Sequence, residues 1–239
     1  MKNPPSPVWI VKSVTIIIPV KDEEVGLQYL LDNYKNSEYY DVVDFSFIFV
    51  IDGRTSDLSK NVARNFSDVI IDQHDTHGKG SAVRQALDIW RDNKTDFVVF
   101  MDADGSYSFG DVSKIISALN DDIDVVSGSR FMSKTGIPVG MGRLHNFGNR
   151  MLSMISSVRN RRKISDLCTG LWGFKYESID KLNLQSKGFD LEAEIAGKSR
   201  KANLSHKEVP VKWSARKGGT SKLKSFRDGS IILFRIIIT

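Results

Sequence analysis

Residues 96–107, DFVVFMDADGSY, decide how the rest of the chain is read. Phe97 to Met101 is apolar, partly β-branched, too short for a convincing helix and bounded by polar residues, so it reads as a buried strand. Asp102 and Asp104 follow at once. Two carboxylates separated by one residue hold a hard divalent cation through oxygen, provided the chain turns out of the sheet there and both reach one cavity. The carboxyl end of a strand is also where an open α/β sheet places its ligands. Asp and Gly are equally common in the plain turn that caps a strand, so this stretch alone supports either reading.

Working outward, strand and helix signals alternate. Val14 to Val20 is a β-branched run, and Glu23 to Tyr34 has apolar residues at helical spacing. Strands at Phe45 to Ile51 and Val69 to Ile71, helices at Leu58 to Phe66 and Ser81 to Trp90, a helix at Asp111 to Leu119 and a strand at Val125 to Gly128 complete the first half. Such alternation predicts a doubly wound, mainly parallel sheet flanked by helices, with its ligand site at the carboxyl edge. Beyond it we expect a helix at Leu144 to Val158, a loop and strand at Ile164 to Phe174, a helix at Asp190 to Ala202, a strand at Leu204 to Trp213, and a mobile glycine-rich loop at Ala215 to Ser221. The tail SIILFRIIIT is apolar, which divides the chain into residues 1–228 and a tail at 229–239.

Composition narrows the classes. With 239 residues, 41% hydrophobic and 26% charged, the chain can bury a large core. The net charge of +5 fits nucleic acid, a membrane surface or a phosphorylated substrate, so its position matters more than its sum. The single cysteine, Cys168, excludes an internal disulfide and a cysteine metal cluster. The N-terminus lacks the long apolar core of a secretory signal.

Polar residues recur where strands end. Glu23 follows the first strand, Asp52 ends the second, Lys79 and Arg84 follow the third, Asp102 and Asp104 the fourth, and Arg130 the fifth. In a parallel sheet these points share one edge. Two other candidates are weaker: Asp72, His74, Asp75 and His77 lack zinc-site spacing, and Cys168 has no nearby histidine to activate it.

The set IPVKDEE, IDGRTSD, HGKGSAVR, MDADGS and GSRF resembles the inverting glycosyltransferase family 2, with the nucleotide-sugar fold called GT-A. RLHNFGNRML, SDLCTGLWGF, FDLEAEI and ARKGGTSKL are similar to its polyprenyl-phosphate branch, which holds dolichyl-phosphate mannose synthases and glucosyltransferases. The likeness runs from about Val14 to Asp228. It implies a Rossmann-like GT-A domain and places Pro19, Glu23 and Asp52 at the nucleotide base. Gly53 stands where the family often has a second Asp. Lys79 approaches the nucleotide, although HGKGS lacks the spacing and the Ser or Thr of a P-loop.

The same resemblance makes Asp102 and Asp104 the DxD element binding Mg²⁺ or Mn²⁺, with Asp104 the principal ligand and Ser106 a weak third. Arg130 and Arg143 match positions that hold an acceptor phosphate, for which a planar guanidinium fork is suited. Asp166 is either a base or a residue that positions a ligand. Arg216, Ser221 and Lys222 correspond to a loop closing over the donor diphosphate.

The implied reaction is metal-dependent transfer of a sugar to a polyprenyl or dolichyl monophosphate, with UDP-glucose favoured and GDP-mannose or UDP-N-acetylglucosamine open. Between Lys198 and Arg227 stand ten Lys or Arg and one acid, Glu208, just before the apolar tail. A membrane surface is therefore an expected partner, and nucleic acid is not. Ile231 to Ile238 is too short to span a bilayer, so of an interfacial helix, a core-packed helix and the start of a segment absent from this chain we expect the first or the last, a C-terminal interfacial or membrane-proximal helix. The location expected is the cytoplasmic side of a membrane. Against these stand a sugar nucleotidyltransferase, which would open on a glycine-rich phosphate loop, a phosphoacceptor signalling domain, which would be about half as long, and a catalytically silent nucleotide-sugar binding module.

Overall fold

A computed structural model describes residues 13–38, 44–67, 69–74, 77–92, 94–119, 122–132, 138, 140–223 and 225–239. Seven strands form one sheet: β1 (Val14–Val20), β2 (Phe45–Asp52), β3 (Ile70–Gln73), β4 (Phe97–Met101), β5 (Val125–Ser129), β6 (Leu171–Lys175) and β7 (His206–Pro210). Their order is β3-β2-β1-β4-β6-β5-β7. The first four pair in parallel, and β5 pairs in parallel with β7. β6 runs antiparallel to both β4 and β5.

That one reversal matters for the site. Six strands bring their carboxyl ends to one edge, whereas β6 brings its amino end there. The segment entering β6, residues 165–170, therefore joins residues that leave the other strands.

The apolar alternation in the central strands has a direct cause. Val14, Ile16, Ile18 and Val20 of β1 pack into one core with Phe47, Phe49, Val99 and Met101, while Ile17, Ile48, Val50, Val98 and Phe100 pack into another. Side chains alternate across a sheet, so a strand apolar at every position needs helices on both faces. One face carries α1 (Glu24–Lys35), α2 (Ser59–Arg64) and α4 (Phe109–Ala118), the last fixed by a capping box between Ser108 and Asp111. The other carries α3 (Lys79–Trp90), α5 (Arg143–Asn160), the short α6 (Tyr176–Asp180), α7 (Leu191–Lys201) and α8 (Ser225–Ile238).

The boundary drawn at 228 falls inside α8. This helix buries Ile232 and Ile236 in the core and pairs Arg235 with Asp190 at 2.7 Å. Its opposite side leaves Phe226, Phe234 and Ile237 exposed, and α5 next to it exposes Leu144, Phe147, Met154 and Val158. Among the described residues no helix is long and apolar enough to cross a membrane.

α3 begins at Lys79, two residues earlier than its apolar pattern suggests. Gly78 has φ 100°, and the N–H groups of Gly80 and Ser81 donate to the carbonyls of Gly188 and Lys187. A Cβ on Gly80 would lie 2.5 Å from the Ser186 carbonyl oxygen, so the helix docks this closely only with glycine there. Gly80→Ala should lower unfolding stability by about 1–3 kcal/mol in urea titration. Gly148→Ala in α5, where a Cβ would meet nothing within 4 Å, should raise it by roughly 0.5–1 kcal/mol.

Candidate active site

The carboxyl edge opens into a cleft of about 970 Å³. Pro19, Glu23, Asp52, Lys79, Asp102, Asp104, Arg130, Arg216, Ser221 and Lys222 all line it. Arg143, Asp166 and Ser106 do not contribute to its wall.

Asp102 and Asp104 leave β4 in a turn whose Gly105 has φ 71°. Each carboxylate meets a cation, and each cation meets a second carboxylate. Lys79 Nζ lies 2.6 Å from Asp102 Oδ1 and 2.6 Å from Glu192 Oε1. Arg216 Nη2 lies 3.2 Å from Asp104 Oδ2, while its Nη1 pairs with Glu23 Oε1. Burial works against the charge on Lys79, but Asp102 and Glu192 hold its pKa well above the ordinary lysine value. Burial also pushes the Glu192 carboxyl up, against the pull of Lys79, and raises Glu23 to about 7 despite Arg216.

Backbone contacts fix this geometry. The Ser106 N–H donates to Asp104 Oδ1 at 3.0 Å, the Lys217 N–H to the Asp104 carbonyl at 3.0 Å, and the Ser214 N–H to the Ser106 carbonyl at 3.0 Å. The glycine-rich loop is thus tied across the end of β4. Ser106 Oγ is buried without a hydrogen-bond partner. A Cβ on Gly170 would fall 1.9 Å from Asp102 Oδ2, so this glycine makes the space in which the carboxylate lies.

Beside β2, Asp52 accepts from Arg54 Nε at 2.9 Å and Nη2 at 2.8 Å, and the Arg54 side-chain bonds hold its pKa down to about 2. Gln73 is buried on the same wall, with its Nε2 unpartnered. Lys222 lies 3.4 Å from Asp22.

Arg130 turns its Nε and Nη2 to Asp166 at 2.7 Å each, with a further bond of 2.7 Å from Nη2 to the Cys168 carbonyl. Asn149 donates to Asp166 Oδ1 at 2.8 Å. Asp166 is fully buried and both its oxygens are engaged, so it orients Arg130 and is walled off from the cleft. Arg143 stands exposed in the first turn of α5. The cleft also has an apolar portion, walled by Leu144, Phe147, Met151, Leu152, Phe226 and Leu233.

Of the weaker candidates, Asp72 pairs with Lys60 at 2.5 Å and His77 faces Asp52 at 3.4 Å, while Asp75 lies outside the described residues. Burial pushes the Cys168 thiol up to about 12, which leaves it no nucleophilic thiolate near neutral pH. Glu192, Arg54, Gln73 and Asn149 are wall residues that the sequence reading did not single out. FDLEAEI held the signal for Glu192: acids on a helix that must dock beside a lysine.

Residues 15–182 match the family model described as Glycosyl transferase family 2. Glycosyltransferase AglJ of Haloferax volcanii is 28% identical over 226 residues, covering 94% of this chain and 71% of that protein. The UDP-N-acetylglucosamine–dolichyl-phosphate N-acetylglucosaminyltransferase of Methanococcus voltae is 26% identical over 249 residues, covering 95% and 96%. Among solved structures, glucosyl-3-phosphoglycerate synthase from Mycobacterium tuberculosis, in complex with Mn²⁺ and UDP-glucose, superposes with a TM-score of 0.68 at 15% identity, over 95% of this chain and 77% of that one. At that identity the likeness establishes the GT-A fold.

The raised Glu23 sets a pH dependence. A carboxyl that titrates near 7 folded and near 4.5 unfolded binds more protons in the native state between those values, so its contribution to stability falls as pH rises from about 4.5 to 7. The unfolding free energy of the chain minus that of Glu23→Gln should decline across this window in urea titrations. A flat difference would contradict the buried position of Glu23.

Proposed function

Because the chain belongs to glycosyl transferase family 2, we propose that it moves a sugar from a nucleotide donor to a polyprenyl or dolichyl monophosphate. The observation that carries this reading is the composition of one continuous cleft. Paired carboxylates, Arg130 and an apolar group of Leu144, Phe147, Met151, Leu152, Phe226 and Leu233 all line it. A nucleotide sugar fits the first, a phosphate the second, and a prenyl chain the third.

The donor base and ribose lie against Pro19, Asp52, Gln73 and Glu23. Asp104 and Asp102 would hold Mg²⁺ or Mn²⁺, with Ser106 steadying Asp104 through its N–H. Among the described residues no group of three or more His, Cys, Asp or Glu could hold a metal. Two carboxylates suit a magnesium-like ion that takes its other ligands from diphosphate and water. Such an ion, when bound, neutralises charge on the departing nucleoside diphosphate. Arg216, Ser221 and Lys222, on the loop over the cleft, add cationic and hydroxyl donors for the same oxygens.

On the acceptor side, Asp166 and Asn149 lock Arg130, whose Nη1 remains for the acceptor phosphate. Arg143, outside the wall, meets the acceptor at the mouth of the cleft. The phosphate is already anionic at neutral pH, so its oxygen attacks the anomeric carbon directly and no carboxylate need take a proton. Attack opposite the leaving diphosphate inverts the centre. The buried position of Asp166 agrees with a positioning role.

We read the donor as UDP-glucose, from the likeness of DADGSYSF and GKGSAVR to glucosyltransferases, with GDP-mannose and UDP-N-acetylglucosamine as alternatives. The exposed apolar faces of α5 and α8, flanked by Arg143, Arg159 and Arg227, support peripheral contact with the cytoplasmic face of a membrane.

Incubation with Mn²⁺, each candidate donor and a short polyprenyl phosphate should yield a lipid-linked sugar, most rapidly with UDP-glucose. Transfer only to a soluble hydroxyl acceptor would overturn the acceptor reading. Asp104→Asn keeps an oxygen for the Ser106 N–H, so it should fold, yet turnover should fall by about a hundredfold or more.

A further inference from the structure

Glu192 has no part in the reaction as derived above, yet it occupies the cleft wall with 7% of its surface exposed. Its partner is Lys79, whose side chain is 12% exposed and whose ammonium is shared evenly with Asp102. The arrangement is built from two distant segments. α3 docks through its first turn on residues 186–188, and α7, which carries Glu192, starts three residues later at Leu191. The two glycines of GKG allow that docking, and Lys79 between them is delivered to Glu192.

A largely buried ammonium left without a counter-charge costs several kcal/mol. If Asp102 were its only partner, a divalent cation arriving at Asp102 would have to strand Lys79. With Glu192 present, Lys79 keeps one carboxylate whatever happens at Asp102. The other half of the site repeats the pattern, with Glu23 keeping Arg216 when Asp104 is taken.

We propose that Glu192 is a positioning residue that holds Lys79 in reserve: the ammonium leaves Asp102 to the incoming cation, stays on Glu192, and turns to the donor phosphate. This inference rests on the reading of Asp102 and Asp104 as the cation site. It assigns Glu192 no proton transfer and no contact with the reacting carbon.

The test is Mn²⁺ binding to the full chain without donor, followed by electron paramagnetic resonance of the free ion, together with donor kinetics. Glu192→Gln is nearly isosteric and leaves Lys79 paired with Asp102, so the fold should survive. Its Mn²⁺ affinity should fall by about tenfold, equivalent to ~1.4 kcal/mol. The donor KM should rise, and kcat at saturating Mn²⁺ should stay within about twofold of the parent. Glu192→Asp should recover part of the affinity. In an Asp102→Asn background the incoming ion no longer takes a carboxylate from Lys79, so adding Glu192→Gln should change Mn²⁺ affinity no further.

Three results would overturn the inference. One is unchanged Mn²⁺ affinity in Glu192→Gln. Another is the same loss persisting in the Asp102→Asn background, which would mean that charge acts directly on the ion. The third is a collapse of kcat that excess Mn²⁺ does not restore, which would make Glu192 a proton acceptor. Binding that depends on Asp104 but ignores Glu192 defeats this inference alone, whereas Mn²⁺ binding indifferent to Asp104→Asn defeats the cation site with it.

Discussion

Negative charge gathered at the end of β4 is the constraint around which this edge of the molecule is arranged. Asp102, Asp104, Glu23 and Glu192 converge there, and Coulomb repulsion in a half-buried cleft would drive them apart or protonate them without compensation. Two cations, Lys79 and Arg216, are threaded between them. Carboxylates outnumber cations there, which leaves the strand end suited to a further positive charge. Much of the local backbone follows from this: the close docking of α3, the loop after β7 tied across the strand end, and the glycine entering β6.

Most of this architecture was legible because it is local. β4, and β1 apart from Thr15, are apolar over the length of the strands observed, and acids and lysines after several strands meet at one edge. The family resemblance added what spacing could not, an expectation of which acids meet a nucleotide and which a metal.

What was not legible is long-range. An antiparallel β6 looks like any short apolar run, yet its direction alone carries Asp166 and Gly170 to the site. Arg130 reads as a free cation, but Asp166 already takes two of its nitrogens, and this pairing spans two strands. Arg143 sits in a promising motif, while the first turn of α5 leaves it outside the cleft wall. The apolar tail read as an appendage because hydropathy cannot distinguish α8's buried stripe of Ile232 and Ile236 from its exposed Phe226 and Phe234.

The fit of Asp102 into the space beside Gly170 has a consequence for heredity as well as for chemistry. A single methyl at position 170 would contest the volume that the carboxylate fills, and the backbone on either side is held by Tyr107, Thr169 and the start of β6. Lesions at these two codons, far apart in the gene, should therefore fall into one phenotypic class. The glycine contributes no chemical group to the reaction, yet selection would guard it as closely as the acid it accommodates.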